Sequence, residues 1–199
     1  MSGTSIHSIL QNWDSHQSGP FFQLSSPPRT LFGNALPSVF LDLVPELGGR
    51  EGFLGQQYIR FYRYEELIDL NTSYDIPNLL PEVYLFASNG YGEAFAFVVH
   101  TETIVQIPLI PIPADQADIV APNLEEFLFR LSNSGPSPTI DISTIGTEVH
   151  LKQPICFGGS WKDPANIVHV TPTQHAELCR YWNPLYRNLL KQKSDSPQA

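Results

Sequence analysis

From Val83 to His100 the chain spells out a β-hairpin, and that hairpin constrains what the rest of the molecule has to do. Two apolar runs, Val83 to Ala87 and Glu93 to His100, flank Ser88-Asn89-Gly90-Tyr91-Gly92, where Asn89 and Gly90 tolerate the positive φ of a tight turn. Alternation places Glu93, Phe95, Phe97 and Val99 on one face and Ala94, Ala96 and Val98 on the other. The small side chains of the second face leave room for a helix to pack.

The flanking sequence extends this sheet. Tyr58 to Tyr62 reads as a strand from its aromatic and branched content, and Thr103 to Ile107 as a third strand of the meander. Prolines 108, 111 and 113 exclude a central strand beyond it. Between the sheet segments, Glu65 to Leu70 predicts one or two helical turns with Leu67 and Leu70 inward. Pro37 suits the first turn of a helix whose inner face is Val39, Phe40, Leu43 and Val44, ended by Pro45 and Gly48. Asn123 caps another, with Leu124, Phe127, Leu128 and Leu131 inward. The expected fold class is therefore α+β: a central, mainly antiparallel, twisted sheet flanked by helices, with a C-terminal helical appendage.

Four segments follow from punctuation. Residues 1–35 hold a short helix, Ser5 to Asp14, and a Pro/Gly-containing connector anchored by Phe21, Phe22 and Leu24. Residues 36–131 form the core domain, 132–143 a polar linker, and 144–199 an extension. In the extension, Thr171, Pro172 and Gln174 make a capping box. His175, Leu178, Cys179, Trp182, Leu185, Tyr186, Leu189 and Leu190 then recur at helical spacing. The helix is expected to kink near Pro184 and to dock through Trp182 and Tyr186.

Charge follows the same division. Residues 36–131 hold 14 acids and 4 bases, net −10, whereas 150–199 hold 3 acids and 6 bases, net +3. Between Arg63 and Arg130 there are eleven acids and no lysine or arginine. Such a field repels phosphates, which disfavours nucleic acid as a partner, and steers basic partners inward. No apolar run reaches the roughly 20 residues a membrane helix needs. The N-terminal residues lack the basic-then-apolar order of a secretory signal, so the expected location is cytoplasmic. Cys156 and Cys179, in different predicted elements, read as reduced side chains.

Between Gly48 and His100 the order of residue types resembles the SUKH superfamily, which includes the fungal Smi/Knr cell-wall regulators. The resemblance begins at Leu36, Pro37 and Phe40 and passes through Gly49, Glu51, Gly52 and Phe53. It continues in Tyr58 to Phe61, then Glu65, Glu66, Leu67 and Asn71. The second half follows in Phe86, Ser88, Asn89, Gly90, Gly92 and the Glu93 to Phe97 strand, and closes with the helix from Asn123 to Leu131. Ser38 stands where relatives usually carry an acid, and Pro45 interrupts what is often a longer helix. The resemblance implies a SUKH-like sheet-and-helix core and, for members from bacterial toxin systems, an immunity protein.

Catalytic patterns are sparse. His175 and Cys179 lie one turn apart on the inward stripe of a helix, a packing position for a Cys-His pair. His169 and Asp163 precede the same helix. The histidines and cysteines lack metal-ligand spacing, and the glycine pairs lack the lysine of a phosphate loop. The expectation is a protein without catalytic residues, metal or cofactor. What the SUKH resemblance implies is neutralisation of a basic toxin, such as a nuclease or deaminase, by occlusion. The contact residues expected are Glu66, Asp69, Tyr74, Asp75, Glu82, Glu93, Asp115 and Asp118, helped by exposed tyrosines such as Tyr62, Tyr64, Tyr74, Tyr84 and Tyr91. A regulatory scaffold using the same surface, and a hydrolytic enzyme whose site no motif encodes, are the alternatives.

Overall fold

The structure is a computed structural model and describes residues 6–11, 13, 15–17, 30–112, 117–135 and 145–194. Its centre is a seven-stranded sheet in the order β1 (Ser15–Gln17), β4 (Arg50–Leu54), β5 (Gln57–Phe61), β6 (Val83–Ser88), β7 (Glu93–Val98), β8 (Ile104–Pro108), β9 (Asp118–Ala121). Every neighbouring pair is antiparallel. Two short strands, β2 (Thr30–Leu31) and β3 (Asn34–Ala35), pair separately. The α+β expectation holds at this level.

One side of the sheet is a hydrocarbon core. Phe61, Phe86, Phe95 and Phe97 point to it, and Phe40 of α2 (Ser38–Leu47) and Phe127 of α5 (Leu124–Ser132) close over them. A bulge between Leu85 and Ala87 turns Phe86 to this side, where its ring lies 4.4 Å from Phe97 and 6.0 Å from Phe61. Ring pairs in such geometry are worth about 0.5–1.5 kcal/mol each beyond the area they bury.

Helix α1 (Ile6–Gln11) is tied to the sheet through Trp13, whose ring packs on Phe61 and beneath the Arg50 guanidinium at 4.8 Å. Arg50 also donates to Ser15 Oγ (2.8 Å) and the Leu10 carbonyl. Helix α2 runs two residues past Pro45, to Leu47, rather than stopping at it. Near a helix end the missing proline N–H removes a single bond, and burial of Leu47 favours the extra residues.

Opposite the hydrocarbon core lie α3 (Tyr64–Ser73), α4 (Ile76–Leu79) and α6 (Pro172–Ser194). Helix α3 is longer than its periodicity predicts because both ends are tied. Glu66 reaches back to the Arg63 N–H and guanidinium, and Tyr74 donates its N–H to the Leu70 carbonyl. Asn71 at its far end is fully buried and bonds both backbone groups of Leu85, accepting the N–H at 2.7 Å and donating to the carbonyl at 2.9 Å. Strand β5 pairs β6 only at Arg60↔Ser88 and Phe61↔Ala87, so the amide side chain continues the ladder where the strand has ended.

The edge strand β9 is missing from the periodicity reading. With Asp118 and Ile119 exposed it shows no alternation to read, and it follows three prolines. Arg130 covers part of this edge by donating to the Val120 carbonyl. The extension contributes a hairpin of β10 (Glu148–Leu151) and β11 (Ile167–Val170), joined through two short 3-10 turns. Helix α6 begins at the capping box, with Gln174 N–H donating to Thr171 Oγ1, and continues without interruption through Pro184. It meets the core through His175, Cys179 and Asn183. Asn183 accepts the Ile112 N–H and donates to the Leu109 carbonyl. Trp182 and Tyr186 instead pack on Phe157, within the extension itself.

Candidate functional site

The second face of the sheet carries charge where a core would normally be apolar. Alternation along β5 turns Tyr58 and Arg60 away from the phenylalanines, and Glu51 and Ser88, their neighbours across the ladder, lie beside them. Strand β10 lies over this side. Its Val149 N–H donates to the Gly90 carbonyl at 2.8 Å, and it brings Glu148 and His150 into the interior. Gly90 holds φ 73° and a side chain there would press on the Tyr58 ring, so the turn favours glycine.

Arg60 is 5% exposed and sits among three carboxylates, at 3.8 Å from Glu51, 3.6 Å from Glu66 and 3.9 Å from Glu148. Two of those acids have better partners. Glu51 accepts the Tyr58 hydroxyl (2.8 Å) and the Gly146 N–H, and Glu66 accepts from Arg63. Glu148, with no exposed surface, accepts Ser88 Oγ at 2.5 Å on one oxygen, while its other oxygen and the Arg60 Nε and Nη1 have no hydrogen-bond partner among the described residues. Burial pushes the Glu148 carboxyl up to about 7, against the opposing pull of Ser88 and Arg60 and with a further push from Glu51.

Beside this cluster, His150 and His175 lie edge to face at 5.2 Å, and the Tyr74 hydroxyl meets His175 Nδ1 at 2.9 Å. Burial lowers His150 to about 4 and His175 to about 3, with His150 adding to the latter shift, so both imidazoles are neutral at pH 7. Cys179 Sγ lies 3.7 Å from His175 Nδ1, and burial pushes its thiol well up. A nucleophilic cysteine needs the opposite shift. The pair is buried, and the imidazole is neutral at pH 7.

The two histidines open onto a cavity of about 730 Å³ at the end of the sheet, where the Ser88–Gly92 turn meets the extension. Tyr58, Tyr91, Phe95 and Trp161 supply aromatic walls, and Gln57, Asn89, Glu93 and Gln106 supply polar ones. Glu93 is fixed there by two amides, Asn89 Nδ2 (2.7 Å) and Gln106 Nε2 (2.6 Å), both donating to Oε2. Among the described residues, no group of three or more His, Cys, Asp and Glu side chains is gathered as a metal site would require.

The residues expected to form one contact surface are dispersed. Asp69 and Glu82 are exposed, and Asp118 is exposed on β9. Glu82 precedes β6 and Glu93 opens β7, so the register Val83↔Val98 and Ser88↔Ala94 puts them at opposite ends of the hairpin. Glu66 is engaged with two arginines. Asp75, half-buried at φ 61°, accepts the Asn78 side chain and shapes the turn into α4. Asp115 lies outside the described residues. Tyr74 is no contact residue: it is 1% exposed, its ring in the core and its hydroxyl on His175. Tyr62, Tyr64 and Tyr84 are likewise buried, because each has apolar neighbours on an inward face, and only Tyr91 remains half-exposed, on the cavity wall.

Sequence reasoning missed Arg60, Glu51, Glu148, His150 and Trp161. One signal existed for the first: an arginine between two tyrosines of the same strand parity marks a buried, hydrogen-bonding side. Nothing local announces Glu148 or His150, which meet the core only after a chain reversal of more than 50 residues. No protein-family model matches the chain, and no curated protein matches it. Among the described residues, no helix is long and apolar enough to cross a membrane.

Proposed function

We propose that the chain is a SUKH-like, non-catalytic binding module of the immunity type, which caps a basic protein toxin such as a nuclease or deaminase through its acidic surface. The observation that carries this reading is what the 36–131 segment presents to solvent. Asp42, Glu65, Asp69, Glu82, Glu102, Asp118 and Glu125 are exposed, while Tyr58, Tyr62, Tyr64, Tyr74 and Tyr84 are buried and Tyr91 is half-exposed. Ile68, Ile119 and Phe129 are exposed beside these acids, and the negative charge, being the long-range feature, acts mainly on association rate and partner choice. The order of helix, hairpin, helix, meander and closing helix over Leu36 to Leu131 supports the SUKH resemblance. The Cys179 thiol, pushed well up by burial, supports binding over covalent catalysis at the His175–Cys179 pair.

The test is co-expression with the product of an adjacent toxin reading frame, followed by co-purification and stopped-flow association at several salt concentrations. Capture is expected, with an association rate that falls steeply with salt. The combined substitutions Asp69→Lys, Glu82→Lys and Asp118→Lys should slow association while leaving Tm nearly unchanged. A complex that ignores both salt and these reversals would mean that the acidic surface is not the contact face. No complex with any neighbouring toxin would end the immunity reading.

A further inference from the structure

We propose that the cavity between the Ser88–Gly92 turn and the extension is a binding site for an organic cation, a guanidinium or substituted ammonium group. Three independent features of its wall point there. The first is Glu93: Asn89 and Gln106 both donate to its Oε2 from neutral amides, so the carboxylate is oriented, and among the described residues no ion pair neutralises it. No lysine or arginine is among the described residues of the wall. The second is the aromatic content. Tyr58, Tyr91 and Trp161 line the same space, and ring faces attract cations, more strongly when water is displaced. Trp161 is 42% exposed, a large indole left in solvent at the rim.

The third is His150. It is 3% exposed, it lines the cavity, and its buried Nε2 has no hydrogen-bond partner among the described residues. An unpartnered buried polar atom beside a cavity calls for a partner, and a water or a ligand group each supplies one. Both histidines of the floor are neutral at pH 7, so they add no positive charge that would turn a cation away. The volume, about 730 Å³, falls within the roughly 300–1,000 Å³ of small-molecule sites. An anionic ligand meets the opposite conditions: a fixed carboxylate and no cationic side chain.

The same head group has two sources, a free small molecule or an arginine or lysine side chain carried on a polypeptide, and the test separates them. The inference stands without any toxin, because the probes are small. The full chain is titrated by calorimetry and by 15N–1H spectra with methylguanidinium, tetramethylammonium and acetate. It is also titrated with a capped tripeptide containing arginine or its neutral isostere citrulline. Saturable binding of either free cation, with shifts at Tyr91, Glu93 and Trp161, supports a small-molecule site. Binding of the arginine peptide alone, lost with citrulline, supports the same site serving a polypeptide.

In either case Glu93→Gln should weaken binding by about tenfold or more, and Trp161→Ala by a smaller factor. Tm should stay close to the parent in both, since glutamine can replace the amide contacts and Trp161 is half in solvent. The proposal is overturned by a preference for acetate, by an unchanged affinity in Glu93→Gln, or by the absence of saturable binding of every cation at millimolar concentrations.

Discussion

The two faces of the central sheet are equally buried and differently built. One is packed with phenylalanine: Phe40, Phe61, Phe86, Phe95, Phe97 and Phe127 in mutual ring contact. The other, beneath the extension, holds Glu51, Arg60, Ser88, Glu148, His150 and His175, all at most 5% exposed. Hydrocarbon can be covered by any apolar element of suitable shape. A buried Arg60 with carboxylates at 3.6–3.9 Å accepts only a segment that brings the matching groups. The first face therefore supplies stability, and the second restricts what can dock on it, at the cost of desolvating charges.

The largest effect should come from the phenylalanine side. Phe86→Ala removes a side chain with no exposed surface that packs on the rings of Phe40, Phe61, Phe97 and Phe127 at the sheet centre, and should cost about 3–5 kcal/mol in chemical denaturation. If the loss were under about 1 kcal/mol, the face would have to be loosely packed and able to collapse, and the contrast with the polar side would vanish.

Next is Asn71, the polar residue that joins α3 to β6. Asn71→Ala leaves the N–H and carbonyl of Leu85 without their side-chain partner in the interior, and each orphaned group costs about 1–3 kcal/mol. Asn71→Asp retains an acceptor for the N–H but sets a buried, unpaired carboxylate against the Leu85 carbonyl, so at neutral pH it should cost more than the alanine variant. A smaller loss for aspartate than for alanine would mean that water reaches this site.

How much of this was legible in the sequence follows from the same contrast. The phenylalanine face is written in alternation and helical spacing, so the hairpin, the α5 cap at Asn123 and the Thr171 capping box are all found by local rules. Asn71 was visible as a residue of the SUKH-like pattern, but its role depends on where β5 stops, which no local rule fixes. The tyrosines illustrate the opposite error. Tyr62 and Tyr74 read as loop-side anchors because turns follow them closely, yet Tyr62 continues the inward parity of Tyr58 and Arg60, and Tyr74 closes α3 against α6. The polar face was illegible because half of it, Glu148, His150 and His175, arrives from a distant segment.

A smaller effect, and a sharper one, concerns the sign of pH dependence on the polar face. Glu148 rises from an ordinary 4.5 to about 7 in the folded protein, so the folded state holds a proton that the unfolded chain has released between those values. Its contribution is fully present below 4.5 and is lost as pH rises through 7. Glu148→Gln removes that dependence. The Tm difference, variant minus parent, should therefore move in the variant's favour by several degrees between pH 5 and pH 8, read by calorimetry. A difference that stays flat would show that Arg60 already holds the carboxylate ionised, and that this face is an ordinary ion-pair network.

The smallest expected change separates hydrogen bonding from burial within the same face. Tyr74→Phe deletes only the hydroxyl that meets His175 Nδ1, keeps the buried ring, and should cost about 1 kcal/mol at pH 7. His175 is lowered from 6.5 to about 3, chiefly by burial and then by His150. The unfolded chain therefore binds the extra proton, and stability falls as pH drops below 6.5. Because burial is the main cause, the phenylalanine variant should lose stability at pH 7 yet keep the parent's slope between pH 6.5 and pH 4. A flattened slope would mean that the tyrosine bond, and not the closing of the extension over the sheet, keeps the imidazole neutral.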